Sequence, residues 1–232
     1  MSLRIGIGTN LRIQGAGGLP YPDVLLDGNT VGFYDYLLGV TMDGANLVSA
    51  WNSIIGANHL LQTGADAIKP VWSADGVLFD GAVVNGDYMK CVAFTWNQPE
   101  FIYMVMRQVT WTITEYFFDG DTNNKGMARQ DALTPGIKAY AGTMSIQNDN
   151  LAVNTWGIIR VLFNGASSKL IVNETAPTLW NCGVNNMGGF TLATRGDTAS
   201  LYSNIQVKEI INRSSVDGET EIYTYLAAKY SI

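Results

Sequence analysis

Trp156-Gly-Ile-Ile-Arg-Val-Leu-Phe-Asn-Gly165 and Ser168-Lys-Leu-Ile-Val-Asn173 open the stretch that decides the fold. Met187-Gly-Gly-Phe-Thr-Leu192 and Ser203-Asn-Ile-Gln-Val-Lys-Glu-Ile-Ile211 complete it. Each is a short apolar, β-branched run closed by a turn-forming residue, which predicts successive antiparallel strands joined by tight turns. The chain ends in Thr220-Glu-Ile-Tyr-Thr-Tyr-Leu-Ala-Ala-Lys-Tyr230, where Ile222, Tyr225, Leu226 and Lys229 recur at helical spacing. One short C-terminal helix is therefore expected, beginning near Asp217-Gly-Glu-Thr220.

Upstream of this block the signals remain those of strands. Phe101-Ile-Tyr-Met-Val-Met106 and Thr110-Trp-Thr-Ile-Thr-Glu-Tyr-Phe-Phe118 are dominated by aromatic and β-branched residues, which favour a pleated surface. If the second run is one strand, Trp111, Ile113, Glu115 and Phe117 share a face, leaving a single carboxylate among apolar groups. Ile137-Lys-Ala-Tyr-Ala-Gly142 and Thr143-Met-Ser-Ile146 read as further short strands. Residues 1–30 form a Gly/Pro-rich arm or edge segment, broken by Gly15-Ala-Gly-Gly18, and residues 31–232 form the folded domain.

Two further segments carry a family resemblance. Asn46-Leu-Val-Ser-Ala-Trp51 places a Trp before a Gly/Asn-rich turn, and Pro70-Val-Trp-Ser-Ala-Asp-Gly-Val-Leu-Phe-Asp80-Gly81 suggests a strand ending in an Asp-Gly turn. With the C-terminal block, this order resembles the concanavalin A-like lectin/glucanase superfamily, in particular the laminin-G-like domains of bacteriophage virion proteins. The resemblance implies an all-β, two-sheet antiparallel jelly-roll sandwich whose short C-terminal helix packs on the sandwich edge. It also implies a virion surface protein (fibre, tail appendage or decoration) made in the host cytoplasm. Its partners would be copies of itself, a trimer favoured, other virion proteins and a host-surface glycan.

Composition limits the alternatives. A chain of 232 residues can bury roughly 70% of its unfolded surface without disulfide support. Charged residues make up 15% against about 25% in an average domain, so the surface is neutral and polar or covered by other subunits. A net charge of −6 without a basic stripe argues against nucleic acid as a partner. No apolar run is long enough to span a membrane, and the opening Met1-Ser-Leu-Arg-Ile-Gly-Ile-Gly8 does not resemble a signal peptide. Cys91 and Cys182 are expected as free buried thiols, and the lone His59 as a turn cap.

Chemistry is sparse at this level. The Glu-x-Asp-x-x-Glu strand of the superfamily's glycoside hydrolases does not occur; Glu100, Glu115, Glu174 and Glu209 are isolated. The expectation is accordingly a protein that is not an enzyme. A glycan-degrading enzyme centred on Glu115 and a bacterial carbohydrate-binding module are the alternatives. No cofactor is expected, except that Asp119, Asp121 and Asn123 alternate oxygen side chains in a way that suits calcium. For a sugar, an aromatic face with neighbouring amides is needed, and Trp180, Asn185, Asn186, Tyr116 and Arg129 are the candidates. Trp51, Trp72, Trp111 and Trp156 fall at strand positions and are assigned to the core.

Overall fold

The computed structural model describes residues 20–232. In chain order the strands are β1 (Thr30–Asp35), β2 (Val40–Met42), β3 (Val48–Trp51), β4 (Leu60–Leu61), β5 (Val71–Ser73) and β6 (Gly76–Asp80). The middle of the chain contributes β7 (Met89–Lys90), β8 (Glu100–Gln108), β9 (Tyr116–Asp119), β10 (Met127–Gln130) and β11 (Ile137–Tyr140). β12 (Gly157–Phe163), β13 (Ser168–Val172), β14 (Thr178–Trp180), β15 (Thr191–Leu192) and β16 (Asn204–Arg213) follow, and α1 (Glu219–Tyr230) closes the chain. The strands form two antiparallel sheets, as expected of the sandwich. One runs β14-β13-β12-β8-β16-β6-β5, with β1 beside β6 on the same edge of β16; the other runs β11-β10-β9-β15-β7-β4-β3-β2.

The first sheet explains why its strands carry near-continuous apolar runs. In β8, Ile102, Met104 and Met106 face the core between the sheets, while Phe101, Tyr103 and Val105 face a second apolar cluster on the outside. With period-2 alternation, a strand covered on both faces must be apolar at every position. The outer cover is α1, which buries Ile222, Tyr223, Tyr225 and Leu226 against Phe33, Ile158, Leu162 and Ile211. The helix therefore lies on the sheet's outer face and not on the sandwich edge, because both faces of β8 and β12 need cover.

Polar contacts fix the helix in place. Arg160 on β12 bonds Glu219 at 3.1 Å and lies over the Tyr223 ring at 4.2 Å. At the other end Lys229, 3% exposed, donates to Asp35 at 2.7 Å, Glu209 at 2.5 Å and the Tyr225 hydroxyl at 3.0 Å. Tyr230 donates to the same Glu209 oxygen at 2.6 Å. The apolar stripe read from Ile222 to Lys229 thus ends in a buried ion cluster instead of an apolar contact.

Several sequence expectations change locally. Of the arm expected over residues 1–30, residues 1–19 lie outside the described residues. Residues 20–29 fold onto the first sheet, with Tyr21 edge-on to Phe33 at 4.9 Å. Arg213 holds this segment through the Val24 carbonyl at 2.7 Å, Thr30 at 2.9 Å and Asp27 at 2.7 Å. The run Thr110–Phe118 is not one strand: Thr114 has a φ of 72° and the strand begins at Tyr116, with Gln130 N still donating to the Glu115 carbonyl at 2.9 Å, so Trp111 and Ile113 leave the sheet. Gln130 stabilises the break, its side chain accepting from Thr112 N at 2.9 Å and donating to the Thr110 carbonyl at 2.8 Å.

Pro70–Gly81 is a β5–β6 hairpin turning at Ala74-Asp75, not a single strand. Its Gly76 has a φ of 127°, and a Cβ there would sit 2.8 Å from the Val207 carbonyl oxygen, so only glycine fits. Thr143–Ile146 contributes an isolated bridge from Met144 to Tyr140 and no strand. Within the deciding C-terminal block β12 and β13 pair directly, but β15 crosses to the second sheet. Among the expected core tryptophans Trp51 is fully buried, whereas Trp72, Trp111 and Trp156 are only partly covered. Trp96 joins Trp51 in the core. Cys91 and Cys182 are free and buried, and His59 Nδ1 accepts from Ser53 N at 3.0 Å as a turn cap.

Candidate functional site

The second sheet carries the polar architecture. β15 lies between β7 and β9, so that Thr191 is paired with Lys90 on one side and Asp119 on the other. The loop after β9 (residues 120–125) and the loop after β15 (residues 193–203) leave the sheet together at this point. Asp119 joins them. Its carboxylate accepts from the backbone N–H groups of Gly120 at 2.8 Å, Asn124 at 2.8 Å, Lys125 at 3.0 Å and Gly196 at 3.1 Å. Burial pushes this carboxyl upward while the N–H donors oppose it.

Lys90 makes a second connection across the same gap. Its ammonium donates to the Asp121 carbonyl at 2.6 Å and the Gly196 carbonyl at 2.9 Å, and lies 3.2 Å from the Asp121 carboxylate. Above them Asn123 and Asp197 exchange two hydrogen bonds, each 2.8 Å. Arg195 closes on Asp197 at 2.6 Å and holds its carboxyl down to about 2, so that it is anionic at any ordinary pH. The loops meet so closely that a Cβ on Gly196 would lie 2.5 Å from the Thr122 carbonyl carbon.

Between the loops lies an open cleft of about 470 Å³, lined by Lys90, Asp121, Thr122, Asn123, Gly196 and Asp197. Carboxylates, an amide, a hydroxyl and an ammonium face one space from a braced frame. Such a set offers donors and acceptors to a polyhydroxylated ligand with little reorganisation on binding.

The three residues of the calcium expectation are engaged with other groups of the protein. The Asp119 oxygens accept from four backbone N–H groups, Asp121 faces Lys90, and Asn123 is engaged by Asp197. Among the described residues, no group of three or more His, Cys, Asp or Glu is placed to hold a metal ion. Alternation along the chain signals a shared strand face only while the backbone stays extended, and it turns directly after Asp119.

The sugar candidates are partly brought together. The Tyr116 hydroxyl donates to the Asn124 side chain at 2.9 Å, and Asn185 donates to the Asn124 carbonyl at 3.2 Å. Arg129 lies over the Tyr116 ring at 5.8 Å but is held by Asp131 at 2.5 Å. Tyr116, Arg129 and Asn185 thus support the turn beside the cleft without lining it. Asn186 accepts from Gln98 N at 3.1 Å. Trp180 stands edge-on to the core residue Phe163 at 6.2 Å and donates to the Thr143 carbonyl at 3.1 Å. Lys90, Gly196 and Asp197 were not legible as site residues, because no local motif joins Lys90 to positions more than a hundred residues further on.

A second depression, a groove of about 220 Å³, lies farther along the 193–203 loop and is lined by Val83, Thr112, Ile113, Glu115, Ser200, Leu201 and Tyr202. Glu115 is 9% exposed and its Oε2 has no hydrogen-bond partner. Burial pushes its carboxyl up to about 7, against hydrogen bonds from Thr112 and the Asn204 N–H.

No protein-family model matches the chain, and no characterised protein matches it in sequence. Solved structures do match in fold. Trypanosoma rangeli sialidase in complex with sialic acid aligns over 94% of this chain and 35% of its own, with a TM-score of 0.60 and 10% identity. A GH54 α-L-arabinofuranosidase soaked with a cyclic sulfate inhibitor aligns over 79% of this chain and 51% of its own, with a TM-score of 0.55 and 14% identity. The chain therefore spans about a third of the sialidase and about half of the arabinofuranosidase. At these identities the likeness shows the fold alone.

These matches correct the expectation that the protein is not an enzyme. That expectation rested on one missing acid triplet, whereas structures that share this sandwich are glycosidases by name. No family model supports the finer resemblance to phage laminin-G-like domains.

Proposed function

We propose that the protein acts on glycans and holds a saccharide in the cleft between the 120–125 and 193–203 loops. The observation that carries this is the cleft itself, in which Asp121, Thr122, Asn123 and Asp197 converge on one space from loops locked by Asp119 and Lys90. Sugar hydroxyls each both donate and accept, and a fixed mixture of carboxylate, amide and hydroxyl meets that need. The fold it shares with glycan-acting enzymes supports the same substrate class.

Glycan cleavage is the activity to test at this cleft, ahead of a phage-surface role. Asp121 and Asp197 place two carboxylates on opposing loops, and Asp197, held anionic by Arg195, would serve as the base or nucleophile of such a pair and not as its acid. Binding of the purified protein to a panel of oligosaccharides by calorimetry, with reducing-end release followed on the matching polysaccharides, tests both parts. Asp197→Asn and Asp121→Asn should weaken binding at least tenfold and abolish release while leaving the fold intact. A panel without binding or release overturns the proposal; binding that survives both substitutions removes the cleft from it.

A further inference from the structure

The Glu115 groove is built differently from the cleft, although the same loop borders both. Asp197 of the cleft and Ser200 of the groove are three residues apart, so their Cα atoms lie within about 11 Å. The groove walls are Val83, Ile113, Leu201 and Tyr202, and two of these apolar side chains are largely solvent-exposed: Val83 at 90% and Ile113 at 51%. Thr112 and Ser200 bring hydroxyl groups, and Glu115, whose Oε2 is buried without a partner, supplies the one carboxyl among the described lining residues.

A ring bearing only hydroxyl groups suits these walls poorly, since each hydroxyl set against Val83 or Ile113 would lose its water without gaining a partner. An acetamido group fits the combination. Its methyl is apolar, and its one carbonyl needs one donor.

We propose that this groove is a subsite for the acetamido group of an N-acetylated sugar, with its methyl against Val83, Ile113 and Leu201 and its carbonyl anchored by Glu115. The proposal rests on the glycan-acting reading and names the substrate class within it. The anchor is the protonated carboxyl, which donates its O–H to the acyl oxygen. What perturbs this group is burial, opposed by the Thr112 hydroxyl and the Asn204 N–H, with no charged side chain among the causes. Among the described residues Tyr202 is the only other titratable group lining the groove, and its hydroxyl donates to the Thr198 carbonyl at 2.8 Å.

The test compares sugars that differ only in the group concerned. N-Acetylglucosamine, N-acetylgalactosamine, N-acetylmannosamine and chitotriose are titrated against glucose, galactose, mannose and cellotriose by calorimetry and ligand-observed NMR at pH 6 and pH 8.5. At least one N-acetylated member should bind tenfold or more tightly than its parent. Its affinity should fall about tenfold between the two pH values as the anchor loses its proton. Glu115→Ala should abolish the preference. Glu115→Gln keeps an N–H donor without a titration and should bind equally at both pH values. Thermal melts of both variants identify any loss that comes from unfolding.

Equal binding of the N-acetylated and parent sugars, unchanged in Glu115→Ala, overturns the subsite and leaves the glycan-acting reading standing. Binding by neither set overturns the subsite, and absence of binding across the wider panel overturns both.

Discussion

Replacing Lys229 by Met isolates the buried ion cluster under α1. The methionine keeps the apolar stem and removes only the ammonium. That ammonium donates to Asp35 at 2.7 Å and Glu209 at 2.5 Å, both 0% exposed, and to the Tyr225 hydroxyl at 3.0 Å. Without it two carboxyl groups remain in a space that admits no water, and breaking a buried pair in this way costs about 3–5 kcal/mol. For a chain of this length each kcal/mol lowers Tm by about 2–4 °C, so the loss should be roughly 6–20 °C.

The dependence on pH separates the charge effect from packing. Burial, then Asp35, raises the Glu209 carboxyl to about 7 while Lys229 opposes the rise. Removing Lys229 lets the folded-state value climb further. A raised carboxyl stabilises fully below its unfolded value and loses that contribution as pH climbs through the folded value. The deficit of Lys229→Met should therefore be smallest near pH 5 and grow towards pH 8, and adding Glu209→Gln should recover part of it. Urea denaturation and thermal melts at pH 5, 7 and 8 measure this. A loss under about 1 kcal/mol at pH 7, or one that is larger at pH 5, refutes the account.

The wild-type protein should itself lose stability as pH rises. Burial lifts Glu100 to about 8 and Asp87 and Glu115 to about 7, so their contribution is complete below about pH 4 and is lost progressively as pH rises from there through about pH 8. A urea midpoint that increases from pH 5 to pH 9 would contradict this. Asp119→Asn leaves one acceptor oxygen for N–H groups that now share two, and each buried N–H left unpaired costs about 1–3 kcal/mol. Slowed hydrogen exchange at Gly120, Asn124, Lys125 and Gly196 in the wild type should be lost in that variant. Gly196→Ala forces the Thr122 backbone away and should weaken saccharide binding while the melting temperature falls only a few degrees. Unchanged binding there would detach the cleft from the ligand.

The sequence alone determined the strands and the terminal helix, because both are recorded in local periodicity; the two-sheet sandwich was implied only by the family resemblance. β12, β13 and β16 lie where their apolar runs lie, and α1 spans the helical stripe. Sequence also gave the free thiols and the role of His59, since single residues in turn contexts carry those signals. It could not tell that α1 covers a sheet face, because a continuous apolar run fits a buried strand without saying what covers it. Nor could it break Thr110–Phe118 at Thr114, where the Gln130 side chain, supplied from another strand, replaces the ladder.

The cleft was least legible of all. Asp119 was visible as an acid in a turn, but what it does depends on Gly196, which is 77 residues away, donating to it. Lys90, Asn123 and Asp197 meet only because β15 inserts between β7 and β9. Periodicity records which way each residue faces along its own strand; which strands become neighbours is set by the packing of two whole sheets, and that packing assembles the site.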